Sequence, residues 1–161
     1  TLDSRSIDWI VVAQAFHWFE ASRTQQEFRR ILRDDGLVAL IWNVRRVDGS
    51  PFLREYEAFL SEFGTDYDRA RNYTDHLTRG LMSGEDTTGF FETFQHSTLY
   101  NKQELNYDGL CSRVLSASYM PARDEPTHET MMRALAGLFE RNEHDGHVIL
   151  EYDIEVFVGR V

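Results

Sequence analysis

The residues best suited to chemistry gather around one short stretch. Ala13-Gln14-Ala15-Phe16-His17-Trp18-Phe19 sets an amide, an imidazole and an indole among small and apolar neighbours. An imidazole titrates near neutral pH, which suits His17 to general-base work; bonding a backbone carbonyl is its structural alternative. Gln14 has two readings, a hydrogen bond to a ligand or a cap on the helix that follows. Trp18 and Phe16 either line a ligand pocket or pack a helix against a sheet. Asn43 follows a second apolar run and is either an acceptor-side polar group or a turn former. His76, His96, His128, His144 and His147 share no ligand spacing, so no metal is expected. Cys111, on an apolar helical stripe, reads as buried and inert.

These side chains need elements to hold them. Ile7 to Ala15 contains Trp9-Ile10-Val11-Val12-Ala13, an unbroken apolar run that reads as a strand buried on both faces. A helix is expected from about Ser22 to Arg33, stopped by Asp34-Asp35-Gly36 with Gly36 in the left-handed conformation. Leu37 to Trp42 follows as a second apolar strand, giving a βαβ crossover and parallel pairing. Ser50-Pro51 opens a helix with the stripe Phe52, Tyr56, Phe59, Leu60 and Phe63, closed by Gly64. Residues 65–89 carry a weak pattern and read as irregular or short helical structure. Phe90 to Tyr100 is strand-like. Helices follow near Asn106 and Pro126, the second facing Met131, Leu135, Leu138 and Phe139 inward. Asp145-Gly146 turns the chain into a last alternating strand, His147 to Val161. Val148, Leu150, Tyr152, Ile154, Val156 and Val158 share one face of it; Ile149, Glu151, Asp153, Glu155 and Phe157 share the other.

Composition excludes several classes of function. The 161 residues carry 17 Lys and Arg against 27 Asp and Glu, a formal charge of -10 that disfavours nucleic acid. The longest basic runs, Arg29-Arg30 and Arg45-Arg46, are too short to reverse that. No apolar run approaches the ~20 residues that span a bilayer, so no membrane partner is expected and the location reads as cytoplasmic. No repeat or linker divides the chain, which reads as one domain, 1–161.

Ser6-Ile7-Asp8-Trp9-Ile10-Val11-Val12-Ala13-Gln14-Ala15-Phe16-His17-Trp18-Phe19 resembles the fourth-strand segment of class I S-adenosylmethionine-dependent methyltransferases. It is most similar to the small-molecule branch, methyltransferase type 11, with the trans-aconitate and ubiquinone-type enzymes. Glu27 to Gly36 and Leu37 to Asn43 resemble the next helix, turn and fifth strand. The resemblance implies a partial Rossmann-like fold, α/β, mostly parallel with an antiparallel C-terminal strand. It implies four strands ordered as the family's fourth, fifth, seventh and sixth. Residues 44–125 would be an acceptor-side insert. The family's glycine-rich turn has no counterpart, since no G-x-G occurs. The chain therefore resembles the C-terminal half of such a domain, lacking on the order of 60 residues at ~30 per βαβ unit.

The resemblance further implies S-adenosyl-L-methionine as cofactor, with Leu2, Asp3, Ala13, Gln14 and Ala15 on the cofactor side and His17, Trp18 and Asn43 on the acceptor side. His17 is the candidate catalytic base. Ligands in open α/β sheets sit beyond the carboxyl ends of strands, which places the cleft at Ala13-Gln14-Ala15. Methyl transfer to a small-molecule acceptor is expected of the complete domain, with the fragment alone not competent to bind cofactor. The competing expectation is a truncated, non-catalytic dimerisation module. In it the apolar Trp9–Ala13 edge is covered by a homodimer or swapped assembly.

Overall fold

The computed structural model describes residues 2–67 and 89–161. Among these, the elements run β1 (Ile7–Ala13), a 3-10 turn (Phe16–Trp18), α1 (Ala21–Ile31), β2 (Leu32–Arg45) and α2 (Pro51–Phe63). They continue with β3 (Thr93–Leu105), α3 (Tyr107–Leu115), α4 (His128–Asn142) and β4 (Val148–Arg160). Most of the weakly patterned 65–89 segment lies outside the described residues.

The strands form one α/β sheet in the order β1-β2-β4-β3, the order the resemblance implies. β1 and β2 pair in parallel across the α1 crossover, Trp9 opposite Leu37 and Ala13 opposite Ile41. The C-terminal strand is antiparallel, as expected, but the sheet is not mostly parallel. β4 lies between β2 and β3, so it contributes two antiparallel pairings against a single parallel one. At an edge it would have changed only one.

The chain divides into two compact units. Of the described residues, 2–44, 89–99 and 153–161 belong to the first, and 45–67 and 100–152 to the second. The second unit and the expected insert at 44–125 share residues 45–67 and 100–125.

In the first unit, Val12, Phe16, Leu32, Val38, Leu40, Trp42, Phe90, Phe91 and Phe157 form the core. Its rings meet edge to face, Phe16 at 4.6 Å from Phe90 and Trp42 at 5.8 Å from Phe157. β1 is buried on one face only, which corrects the expectation of two. Val12 is 7% exposed, whereas Trp9 and Val11 are 54% and 61% exposed. β1 is an edge strand, and on this face Trp9 and Val11 are more than half exposed.

α1 starts one residue before Ser22 because Glu20 caps it, accepting from Ser22 N at 3.1 Å and Arg23 N at 3.0 Å. It ends at Ile31, ahead of the turn expected to stop it. Leu32 already pairs with Ile7, and the register then jumps so that Trp9 meets Leu37. Residues 33–36 are therefore a bulge within β2. Gly36 is not left-handed. It is a glycine for want of room: a Cβ there would stand 2.8 Å from Leu32 Cδ2 and 3.0 Å from the Arg33 carbonyl oxygen.

β4 changes burial phase midway. Its part in the second unit buries Val148, Leu150 and Tyr152, while its part in the first buries Glu155, Phe157 and Gly159. The single apolar face expected from alternation thus holds for the first half only. Glu155, 3% exposed, pairs with His96 Nε2 and accepts from Thr98 Oγ1 at 2.8 Å. The His96 ring stacks on Phe157, centroids 4.6 Å apart.

The second unit is built on the stripes of α2, α3 and α4, with Leu53, Leu110, Met131, Leu135 and Leu150 in its core. Ser50 caps α2 by accepting from Leu53 N at 3.2 Å, and Gly64 ends it. Arg45 and Glu57 form a mostly buried ion pair that Tyr67 completes, its hydroxyl donating to Glu57 Oε2 at 2.6 Å. Arg45 also lies over the Tyr56 ring at 5.1 Å, and burial pushes the Tyr56 phenol up to about 12.

Candidate functional site at the carboxyl end of β1

Where β1 ends, the backbone reverses sharply. Gln14 has φ 54°, a left-handed conformation that L side chains seldom adopt. Two hydrogen bonds to β2 hold it there: Gln14 N donates to the Ile41 carbonyl at 2.9 Å, and Gln14 Nε2 to the Asn43 carbonyl at 3.3 Å. A non-glycine residue kept in this region by its surroundings is a common mark of a functional turn. Gln14 does not cap the 3-10 turn that follows, so its helix-cap reading is set aside.

The 3-10 turn closes through Trp18 N to Ala15 O at 3.0 Å and Phe19 N to Phe16 O at 2.9 Å. That geometry sends neighbouring aromatic side chains opposite ways. Phe16 enters the core at 4% exposure, while Trp18 stands 81% exposed. Trp18 is thus available to a ligand and does not pack a helix against the sheet. The His17 ring lies 4.9 Å from that of Trp18, and partial burial lowers the His17 pKa. Lowering keeps the neutral imidazole, the form able to accept a proton, populated to more acidic pH.

Ala13, Gln14, Ala15, His17, Trp18 and Asn43 are therefore gathered at one end of the β1–β2 pair. Asn43 lies inside β2 and not in a turn. Leu2 and Asp3 are not brought to that end. Arg30 Nη2 holds the Leu2 carbonyl at 2.9 Å and Ser6 Oγ holds that of Asp3 at 2.7 Å, both before the amino end of β1. A seven-residue strand separates them from Gln14, on the order of 20 Å at the usual strand rise. Sequence reasoning missed Glu20, whose capping role a Glu-x-Ser start does not advertise, and the Arg45–Glu57–Tyr67 network, whose members are far apart in sequence.

No family model matches the chain. It is 32% identical over 65 residues to an uncharacterized methyltransferase-like protein of Schizosaccharomyces pombe, covering 40% of this chain and 25% of that one. It is 46% identical over 44 residues to an uncharacterized methyltransferase of Mycobacterium tuberculosis, covering 27% and 18% respectively. The matched segments thus span a quarter or less of these relatives' length. Superposition on a solved structure designated a type II methyltransferase, from Anaeromyxobacter dehalogenans, gives a TM-score of 0.61 at 23% identity. It covers 99% of this chain and 66% of that one. The fold is that of a methyltransferase. Within a methyltransferase fold, the Gln14 turn lies at the end of the sheet where ligands of open α/β sheets are held.

The residues at that end fit part of the cofactor this fold implies. Two alanines flank an exposed amide, which suits close approach by a polar group such as an amino-acid moiety. The ribose hydroxyls call for a carboxylate. Asp3 is at the other end of β1, and Glu20 is engaged in capping α1. The residues gathered at this end thus match the amino-acid part of that group and offer no carboxylate for its ribose.

Proposed function

We propose that this chain serves S-adenosyl-L-methionine-dependent methyl transfer to a small-molecule acceptor, as the C-terminal part of a methyltransferase domain. The observation that carries the reading is the left-handed Gln14 turn, tied to β2 at the carboxyl end of β1. The sulfonium cofactor supplies an activated methyl group, so the protein's work is alignment and exclusion of water. Gln14 offers its amide to the cofactor's amino-acid part, with Ala13 and Ala15 leaving room beside it. Trp18 and Asn43 border the acceptor, and His17, neutral at physiological pH, takes the acceptor's proton. A cytoplasmic setting belongs to this proposal. Calorimetric titration with S-adenosylhomocysteine tests it in two arms. The 161-residue chain is expected to show no tight binding, and a longer chain with an added N-terminal cofactor half is expected to bind it one to one. Tight binding to the short chain overturns the need for the N-terminal half, and none to the longer chain overturns the cofactor reading.

A second reading is favoured by the exposure of Trp9 and Val11 on an edge strand. In it the chain is a non-catalytic module whose β1 pairs antiparallel with β1 of a second copy. Pairing centred on Ile10 sets Trp9 of each copy across from Val11 of the other, so the edge is complementary to itself. Light scattering is then expected to show a dimer that Trp9→Lys converts to monomer. A monomer for the unsubstituted chain at high concentration rules this reading out.

A further inference from the structure

At the amino end of β1, away from Gln14, the first unit holds a pocket of about 210 Å³ lined by Arg5, Arg29, Arg33 and Arg160, with Asp34 and Glu92. Four guanidinium groups in one concavity stand out in a chain of formal charge -10. We propose that this pocket binds a single phosphoryl group, carried by inorganic phosphate or a small phosphomonoester. The proposal does not rest on methyl transfer, because none of its residues belongs to the Gln14 site.

The fold assembles the pocket from separated segments. Arg5 has φ 52° and its N–H donates to the Arg30 carbonyl at 3.0 Å, which ties the segment before β1 to the end of α1. Arg33 and Gly36 belong to the bulge of β2, which brings them to the pocket wall. Arg160 comes from the far end of the chain, where its carbonyl accepts from Glu92 N at 2.8 Å and so joins β4 to the segment before β3.

Three of the arginines already meet carboxylates. Arg5 meets Asp34 at 3.6 Å, Arg29 meets Glu92 at 3.0 Å and Arg33 meets Asp8 at 2.6 Å, each through one terminal nitrogen of the guanidinium. All six side chains are about half exposed or more, so these pairs are weak and open readily. Each guanidinium keeps further N–H donors in a fork that matches phosphate oxygens. Arg160 has no acidic partner among the described residues. With Asp8 counted beside Asp34 and Glu92, four guanidinium groups face three side-chain carboxylates around the pocket. A pocket of about 210 Å³ has room for one phosphoryl group and not for a polyanion.

Titration of the 161-residue chain with sodium phosphate, and separately with glycerol phosphate, at constant ionic strength in chloride tests this. One-to-one binding is expected, with affinity reduced about tenfold by Arg160→Ala or Arg29→Ala. Arg160→Lys should retain part of it, and Arg123→Ala, in the second unit, should leave it unchanged. Both arginine variants alter exposed side chains, and their circular dichroism should match that of the unsubstituted chain. Stronger binding of the ester assigns a phosphomonoester ligand, and stronger binding of phosphate assigns the free ion. Absence of saturable binding by either, or an affinity in Arg160→Ala and Arg29→Ala equal to that of the unsubstituted chain, overturns the proposal.

Discussion

Glu155 and His96 show how much one polar pair sets in the first unit. A carboxyl group at 3% exposure needs hydrogen-bond partners, and it has His96 and Thr98. Removing His96 leaves it with the Thr98 hydroxyl and strips the stacked ring from Phe157. His96→Ala is expected to lower the unfolding free energy by about 3 kcal/mol, since breaking a buried pair costs more than replacing it. Adding Glu155→Leu should recover most of that loss in urea denaturation. A double variant no more stable than the single one would show that the pair is not the source of the effect. At the candidate site the same logic runs in reverse. His17 is only partly buried, and desolvation lowers its pKa, which favours the neutral imidazole.

The elements differ in how openly the chain announces them. Apolar periodicity marks α2 and α4, and Ser50-Pro51 marks the start of α2, because caps and stripes are local physics. The sheet order followed from a resemblance, and no single strand carries it. What local reading could not reach is what depends on neighbours. The Trp9 to Ala13 run has the composition of a doubly buried strand, yet its burial is decided by its place at the sheet edge. Asp34-Asp35-Gly36 has the composition of a helix stop, yet the helix ends earlier because Leu32 pairs with Ile7. The Gln14 site was partly legible. The rule that ligands sit beyond the carboxyl ends of strands pointed to Ala13-Gln14-Ala15. The expected strand nevertheless ran through the left-handed turn at Gln14, and nothing local reveals that Leu2 and Asp3 lie at the opposite end of that strand. The four-arginine pocket was invisible for a related reason: its basic residues come from three distant segments and form no run.

Over the whole molecule, titration gives stability a defined alkaline limit. Burial raises the Tyr56 phenol from its ordinary 10.0 to about 12 and raises Tyr67 in the same direction. A group whose folded pKa is raised favours the folded state fully below its unfolded value, and that favour is lost as pH climbs through the folded value. Stability should therefore fall between about pH 10 and 12, by about 2 kcal/mol for the Tyr56 part. Tyr56→Phe should flatten that fall, as read from thermal melts across this range; an unchanged slope would exclude Tyr56 as its source.

The change of phase in β4 constrains the molecule as a mechanical lock. Were the strand to slide by one residue against its neighbours, Val148, Leu150 and Tyr152 would turn outward in the second unit, and Phe157 would do so in the first. Neither half could gain while the other lost, so mispairing would be penalised twice for one displacement. A one-residue insertion between Asp153 and Ile154 is the exception, because it would shift the two halves relative to each other. That junction is where the chain's two burial rhythms are kept in step by count alone.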